Sequence, residues 1–325
     1  MITACRPDSQ SPEASSPNPT VQTLRGTASY TPYDSLAMIW AREKAGSMAW
    51  VASGSEAGKL LVSKADPARR PDFAFASQGV VAGLAARGEQ PVILATVAIS
   101  TNAVRPVFRN PKPNLVGSRS LFVPRSSIEL AFDRLLIREG VRPEQVRVPK
   151  VENVSFTTIA TLLQKPADAP DAIDFGIMVE PFISTVLDTG GNNYAVGDGG
   201  LYELQYSLIV RREDLTAHRE HFVTLLRDLT DVSQKLESLP TDEAFYQQAW
   251  GRQKDGQPER LQKLITFERG ALRLQLQPSR LRGLLHEEIS YLVGKYPEEL
   301  RQPPNIDQLV DETLLLQVDR ARVKQ

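Results

Sequence analysis

The stretch SLFVPRSSIELAFDRLLIREGV (residues 120–141) runs from apolar residues through a proline to two serines, and then shows helical spacing of its apolar residues. Ser126 and Ser127 stand where the helix should begin. Serine is a preferred helix N-cap, because its hydroxyl accepts a hydrogen bond from an otherwise unpaired backbone N–H. The same helix start presents free N–H groups and a positive dipole end to whatever lies beyond the strand. The junction therefore predicts either simple capping or a site for a polar or anionic group.

Two earlier strand-to-helix junctions have the same character. Residues 51–61 read VASGSEAGKLL and residues 73–84 read FAFASQGVVAGL. Ligands of open α/β sheets bind beyond the carboxyl ends of the strands, where helix N-termini converge. We therefore predict a shared ligand site at these junctions, with capping as the alternative for each serine. The candidate ligand residues here are Ser53, Ser55, Ser77 and Gln78.

The wider pattern alternates strands and helices, which is typical of a mainly parallel sheet covered by helices on both faces. Strands are predicted near 22–28, 47–52, 72–76, 91–98, 119–123, 145–149, 172–178 and 204–210. Helices are predicted near 34–45, 55–65, 78–88, 127–139, 155–164 and 181–189. After Glu213 the β-rich runs stop, and helical spacing continues in segments that include 241–252, 257–265, 278–296 and 306–322.

Two stretches interrupt this alternation. Residues 99–119 contain three prolines and few periodic apolar residues, and residues 192–204 contain three glycines. We interpret each stretch as a crossing, a segment in which the chain passes from one lobe to the other. Two crossings imply that the middle of the chain is inserted into the first part, giving two lobes that hinge about a cleft. The predicted units are a disordered tether over 1–20, a first lobe over 21–100 and 200–325, and a second lobe over 101–199.

Composition excludes several classes of protein. The 325 residues include 41% hydrophobic residues, enough for sizeable cores in about two domains. The 38 basic and 39 acidic residues leave a formal net charge of −1, so electrostatics gives no reason to expect a nucleic acid partner. No run approaches the ~18 apolar residues that would span a bilayer. Cys5 is the single cysteine, which rules out an internal disulfide.

Cys5 has a specific setting. Residues 2–5 (ITAC) resemble the lipobox of bacterial lipoproteins, in which the cysteine receives a lipid. The sequence lacks the charged and apolar segments that precede a lipobox, so this interpretation requires them upstream of Met1. Residues 6–20 are rich in Pro and Ser, which predicts an extended tether. We predict lipidation of Cys5, and the alternative is a disordered tail with an unmodified cysteine.

Three segments, taken in order, resemble the solute-binding proteins of bacterial ABC importers for nitrate, sulfonates, taurine and thiamine-related pyrimidines. They are PDFAFASQGVVAGLAARGEQPVILAT (71–96), VGSRSLFVPRSS (116–127) and AIDFGIMVEPFISTVL (172–187). The sequence departs from the family at Arg125, where glycine is usual, and at Ser118 and Arg119, which replace lysines. These departures bear on the identity of the ligand more than on the fold.

The resemblance implies a two-lobed α/β periplasmic-binding-protein-like (type 2) fold with a helical C-terminal extension. It implies a monomer that captures a small polar or anionic solute between its lobes and delivers it to an ABC permease and its ATPase. The expected location is the periplasm or the cell surface, with membrane contact only through the lipid anchor. Both Ser126 and Ser127 are candidate ligand residues, and the resemblance assigns the ligand contact to Ser127.

Glu180, Tyr33 and Asp34 complete the candidate set. Glu180 precedes Pro181 at the end of a predicted strand, where its carboxylate either accepts hydrogen bonds from a ligand or complements the dipole of the next helix. Tyr33 offers an aromatic surface for stacking. Asp34 is favoured as a helix cap, with a ligand contact as the alternative.

An enzyme on the same bilobed fold is the alternative function, of the kind that makes pyrimidine precursors or acts as a lyase in the menaquinone pathway. Acid–base catalysis needs a titratable group in the cleft, whereas His218, His221 and His286 all lie in the helical C-terminal half. His218 and His221 have a spacing that a metal could use but lack an obvious third ligand. We therefore predict no catalytic residue, cofactor or metal site, and catalysis by carboxylates alone, such as Glu180 with Asp34, is the alternative. The effector-binding part of a regulator is disfavoured, because no DNA-binding helix pair precedes the lobes.

Overall fold

The computed structural model describes residues 24–29, 31–44, 46–51, 53–64, 70–240, 244, 269–298 and 305–324. The strands are β1 (Arg25–Ser29), β2 (Ser47–Val51), β3 (Phe73–Ser77), β4 (Pro91–Ser100), β5 (Val104–Arg109), β6 (Ser120–Leu121), β7 (Phe175–Val179), β8 (Tyr194–Val196), β9 (Leu204–Arg211) and β10 (Leu272–Gln275). The α-helices are α1 (Ser35–Glu43), α2 (Gly54–Val62), α3 (Gln78–Ala86), α4 (Ser127–Arg138), α5 (Phe156–Gln164), α6 (Phe182–Gly190), α7 (Arg212–Ala217), α8 (Arg219–Glu237), α9 (Pro278–Lys295) and α10 (Thr313–Val318). The tether with Cys5 and the helices predicted at 241–252 and 257–265 lie outside the described residues, except for Ala244.

The larger sheet has the strand order β10-β4-β9-β3-β1-β2. β1 pairs in parallel with β2 and β3, whereas β9 is antiparallel to β3 and β4, and β10 is antiparallel to β4. The expectation of a mainly parallel sheet is therefore wrong for the β9 side. The chain path explains the difference, because β4 carries the chain out of this sheet and β9 brings it back in the opposite direction.

The smaller sheet has the order β6-β7-β5-β8 and is built between residues 104 and 196. β5 and β8 lie inside the two stretches that were predicted to be irregular crossings, and β5 pairs antiparallel with both β7 and β8. β5 forms because Val104, Val107 and Phe108 bury their side chains. Each predicted crossing therefore contributes a strand as well as a connection.

Three other predicted segments differ from the structure. The segment at 145–149 makes a single β-bridge instead of a strand. β10 lies well after Glu213, so the prediction that strands stop there is wrong. The helix predicted at 306–322 is interrupted where Val310 bridges to Ile93, which leaves α10 short. The helix predicted at 278–296 is confirmed as α9.

Two short segments join the sheets, residues 101–103 between β4 and β5 and residues 197–203 between β8 and β9. They run side by side, because the Gly200 N–H donates to the Thr101 carbonyl at 2.8 Å. Gly200 has a φ of 76°, in the left-handed region that glycine adopts without steric cost. A paired crossing therefore links the two sheets.

The main hydrophobic core is continuous across both sheets. α4 packs on the smaller sheet through Phe132, whose ring centroid lies 6.2 Å from that of Phe175. α9 packs on α3 beside the larger sheet and also contacts α4. A second core includes side chains of α5 and α6 and lies against the smaller sheet. None of the described helices is both long and apolar enough to cross a lipid bilayer.

Candidate ligand-binding cleft

A cavity of about 540 Å³ opens between the two sheets. Ligand sites for small molecules usually have volumes of roughly 300–1,000 Å³. The first wall lies at the ends of β1, β2 and β3 and on β9, and it includes Ser29, Thr31, Tyr33, Ser53, Ser77 and Tyr206. The second wall lies around the ends of β6 and β7 and the start of α5, and it includes Ser126, Ser127, Val154, Phe156, Glu180 and Phe182. The cavity has the size of a site for one small solute.

The start of α2 lines the cleft. Ser53 is the N-cap of α2, because its hydroxyl accepts a hydrogen bond from the Glu56 N–H at 3.2 Å. Ser53, Gly54 and the exposed Ser55 all contribute to the cavity surface. The capping bond uses a lone pair of the Ser53 hydroxyl, so it does not use the hydroxyl proton.

The start of α3 also lines the cleft, but its two predicted residues differ. Ser77 occupies the N-cap position without making a capping bond, and it lines the cavity. Gln78 is fully buried and does not line it. Its Nε2 donates to the Glu203 carbonyl at 2.6 Å and its Oε1 accepts from the Gln205 N–H at 2.8 Å. The structure therefore corrects the assignment of Gln78, whose amide holds the backbone that enters β9.

The start of α4 places its two serines differently. Ser126 caps α4, because its hydroxyl accepts from the Ile128 N–H at 3.2 Å and donates to the Val123 carbonyl at 2.6 Å. Ser127 is the first helical residue and lines the cleft. The capping role thus belongs to Ser126, and the ligand role of Ser127 stays a prediction.

Arg125 adopts a φ of 57°, a left-handed conformation that costs a non-glycine residue roughly 1–2 kcal/mol. Two contacts offset this cost. Its backbone N–H donates to Glu129 Oε2 at 2.7 Å, and its guanidinium carbon lies 5.4 Å from the centre of the Tyr296 ring. The position at which the resembled family has glycine therefore keeps a glycine-like backbone and adds a cation to the cleft.

Glu180 is buried, with 2% of its surface exposed, and it lines the second wall. Its Oε2 accepts from the N–H and the hydroxyl of Ser184 at 3.1 and 2.7 Å, and its Oε1 lies 3.4 Å from Arg105 Nη2. Burial raises the pKa of Glu180, and the bonds from Ser184 and the charge of Arg105 oppose that rise. These bonds favour the role of complementing the start of α6, and contact with a ligand stays a prediction.

Asp34 is fully buried behind the first wall. Its Oδ2 accepts hydrogen bonds from the hydroxyls of Thr31 (2.6 Å), Ser29 (2.8 Å) and Tyr206 (3.3 Å), and all three residues line the cleft. Its Oδ1 is buried and has no hydrogen-bond partner among the described residues. Burial raises the pKa of Asp34 to about 7, although the hydroxyl bonds oppose that rise. Asp34 therefore does not line the cleft itself and is linked to it by hydrogen bonds from hydroxyl groups that do.

The cluster around Asp34 was not predicted from the sequence. Asp34 occupies the N-cap position of α1 without a capping bond to that helix, but it caps the 3₁₀ turn before it (Pro32–Asp34), because its Oδ2 also accepts from the Thr31 N–H at 3.3 Å. The favoured capping role is therefore found at this turn and not at α1. Ser29 ends a strand as Ser77 does, and that position is the signal that could have identified it. Tyr206 lies within β9, where no local pattern marks it. Tyr33 is buried against it, with ring centroids 6.1 Å apart, and lines the cleft.

The charge and polarity of the cleft are unevenly distributed. The second wall is largely apolar, while Lys59, Arg87 and Arg125 add positive charge to the cavity surface. The first turns of α2, α3 and α4 add the partial positive charge of helix N-termini. The cleft therefore suits a small solute with a polar or anionic group and an apolar part.

Metal ligands are scarce in the parts of the chain that the structure describes. No group of three His, Cys, Asp or Glu side chains in those parts could hold a metal ion. His218 and His221 lie together where α7 meets α8, with ring centroids 5.9 Å apart. None of the three histidines lines the cleft.

No family model and no curated protein matches the sequence. Solved structures match it in fold. The ligand-binding component of an ABC-type import system from Staphylococcus aureus, solved with zinc bound, gives a TM-score of 0.68 at 14% identity, over 92% of this chain and 99% of that chain. The nitrate-binding protein NrtA from Synechocystis PCC 6803 gives 0.67 at 14% identity, over 93% and 89%. The aliphatic sulphonate binding protein SsuA from Escherichia coli gives 0.66 at 13% identity, over 90% and 93%.

The chain has the periplasmic binding protein fold. The Candida albicans CA3427 gene product, described as having that generic fold, also matches, with a TM-score of 0.58 at 12% identity. The predicted two-lobed fold class is therefore confirmed. Of the eight predicted ligand residues, all but Gln78 line the cleft of this binding-protein fold, and their contact with a solute stays a prediction.

Proposed function

We propose that this protein is the solute-binding component of an ABC import system. It captures a small polar or anionic solute between two lobes and delivers it to a membrane permease and its ATPase. Three helix N-termini, drawn from both walls, converge on one cavity of suitable size, and this convergence is the main support. The fold likeness to components of import systems supports the delivery step. The protein acts as a monomer in the periplasm or at the cell surface.

The two lobes of this mechanism are residues 21–100 with 200–325, and residues 101–199. The larger sheet takes its described strands from the first set, and the smaller sheet takes its strands from the second. The paired crossing at 101–103 and 197–203 acts as the hinge. Rotation about it brings the walls together when a solute binds.

The charged or polar group of the solute binds at the first turns of α2, α3 and α4. Free backbone N–H groups and the helix dipole favour an anion at such positions. Hydroxyl groups add donors close to these turns without blocking the approach. The side chains proposed to contact the solute are Tyr33, Ser53, Ser55, Ser77, Ser127 and Glu180, with Ser126 as the cap beside them.

We further propose that Cys5 carries a lipid and that residues 1–20 tether the lobes to the membrane. The lipobox-like residues 2–5 and the Pro- and Ser-rich segment after them support this anchor. The gene, expressed with its upstream region in a bacterial host, should yield protein that fractionates with membranes. Cys5→Ala should abolish this fractionation, and equal solubility of the two proteins contradicts the anchor.

A thermal-shift screen tests the transport function. The panel contains nitrate, alkanesulfonates, taurine, aromatic carboxylates and hydroxymethyl-pyrimidines. A solute present at about 100 times its Kd should stabilise the fold by about 2.7 kcal/mol. Ser77→Tyr, which fills the cleft, should abolish the shift, whereas Thr161→Val on the exposed face of α5 should retain it. A panel that yields no shift contradicts the proposed function.

A further inference from the structure

The direction of the hydrogen bonds around Asp34 decides what the first wall offers a solute. The hydroxyls of Ser29 and Thr31 both donate to Asp34 Oδ2, at 2.8 and 2.6 Å. A hydroxyl has one proton to donate. Because both protons point into the protein, neither hydroxyl donates to the cleft. Ser29 is fully buried, whereas Thr31 keeps part of its surface exposed, so Thr31 presents lone pairs to the cleft.

The third hydroxyl of the cluster behaves in the same way. Tyr206 Oη lies 3.0 Å from Ser29 Oγ, 3.2 Å from the Phe75 carbonyl and 3.3 Å from Asp34 Oδ2. Each of these three acceptors lies within the protein, so the phenol proton also points away from the cleft. A Cβ at Gly54 would lie 2.8 Å from Tyr206 Oη, which shows that the cluster abuts the start of α2.

We propose that Asp34 is a specificity-determining residue: by taking the Thr31 proton it leaves Thr31 as a hydrogen-bond acceptor on the first wall, and it thereby selects solutes that carry a donor beside their anionic group. This inference rests on the proposed function and deepens it by naming the class of solute. Ammonium, amide and hydroxyl groups are the donors in question. The starts of α2, α3 and α4 bind the anionic group, and the lone pairs of the partly exposed Thr31 hydroxyl accept from the donor.

The ionisation of Asp34 provides a second readout. Among the described residues, the groups that donate to it are the hydroxyls of Ser29 on β1, Thr31 before α1 and Tyr206 on β9, together with the Thr31 N–H, and burial raises its pKa to about 7. No charged side chain among the described residues is bonded to it. A cation bound at the Thr31 hydroxyl favours the ionised Asp34 carboxyl and releases a proton, whereas an anion bound there favours the protonated carboxyl and takes up a proton.

Calorimetric titration with matched solutes tests this inference. The probes are sulfonates, carboxylates and phosphonates that each carry a 2-aminoethyl, a 2-hydroxyethyl or a propyl group, so that only the donor changes, together with nitrate. For whichever head group binds, the amino and hydroxy members should bind about tenfold more tightly than the propyl member, because the propyl member covers the Thr31 acceptor without pairing it. The amino member should also release a proton near neutral pH, seen as a heat that depends on the buffer.

Variants separate the acceptor role from a structural one. Thr31→Val keeps the shape of the side chain and removes an acceptor. The tenfold difference in affinity between the amino or hydroxy members and the propyl member should therefore narrow to about twofold. Thr161→Val, outside the cleft, is the matched control and should keep the wild-type difference. Asp34→Asn should abolish the proton release. If Asp34→Asn does not fold, the acceptor role is still tested by proton release in the wild type and by the difference in affinity between the solutes in Thr31→Val.

The outcomes distinguish this inference from the proposed function. Four results overturn the acceptor role and leave solute capture supported. They are propyl members that bind as tightly as the amino and hydroxy members or more tightly, binding of nitrate alone, proton uptake with the amino members, and a wild-type difference in affinity in Thr31→Val. Absence of binding by every probe contradicts solute capture, and the inference falls with it.

Discussion

Tyr202 donates a 2.5 Å hydrogen bond to Glu288, and both side chains are buried. The bond joins the crossing at 197–203 to α9. A Cβ at Gly79 would lie 2.6 Å from Ser127 Oγ and 2.8 Å from Glu288 Oε2, so α3, α4 and α9 meet at this point. α9 therefore supports, from outside the cleft, the junction at which Ser127 lines the cleft.

Glu288 should make the protein less stable as pH rises. Burial raises its pKa from 4.5 to about 8. The protonated form therefore stabilises the fold fully below the unfolded value, and this contribution is lost as pH rises through about 8. Glu288→Gln should flatten the decrease of the melting temperature between about pH 5 and pH 9. Thermal unfolding across this range is the measurement, and Glu220→Gln on the exposed face of α8 is the control. A wild-type slope in Glu288→Gln contradicts the assignment.

Gly79→Ala should lower the free energy of unfolding by about 1–3 kcal/mol, because the added methyl group would overlap Ser127 and Glu288. Gly83→Ala, on the same helix, is the matched control. Its Cβ would have Arg87 Nη1 at 3.8 Å as its nearest contact, so it should gain up to about 1 kcal/mol from helix propensity. Urea denaturation measures both. Equal effects of the two substitutions would show that α3 and α4 do not approach as closely as described.

The two serines of the third junction should respond differently to alanine. Ser126→Ala removes the cap of α4 and should cost about 0.5–2 kcal/mol of stability with little change in intrinsic affinity for a solute. Ser127→Ala should change the melting temperature of the empty protein little and weaken binding by about 0.5–3 kcal/mol, depending on the charge of the solute. Melting curves and titrations of both variants check this. Wild-type affinity in both would remove Ser127 from the site.

The local parts of the fold could be predicted from the sequence. A serine at the end of a β-rich run, followed by helical spacing, marks the starts of α2, α3 and α4, and these junctions do line one cavity. β5 and β8 could not be predicted in the same way. Their strand character depends on partners supplied by distant segments, as when Val104 pairs with Val179 and Phe108 pairs with Ala195.

The polar interior of the site was predicted least well. Gln78 was assigned to the ligand because it begins a helix at the cleft, but its amide bonds to the backbone of Glu203 and Gln205, which no local pattern connects to it. Asp34 was favoured as a cap and does cap the turn before α1, but the sequence does not reveal the tertiary contacts that bring Tyr206 and Ser29 to its carboxyl group. Buried hydrogen bonds between distant segments are fixed by packing, and sequence periodicity does not reveal them.

A solute held by both walls at once should protect both walls from hydrogen exchange. The measurement is hydrogen–deuterium exchange of the wild-type protein with and without a saturating amount of the solute that gives the largest thermal shift. We predict that amide protection rises together in the first turns of α2 and α3 on one wall and of α4 on the other, and also in the crossing at 101–103 and 197–203. Protection confined to one wall, or an exchange pattern unchanged at saturation, would contradict capture of a solute between the lobes.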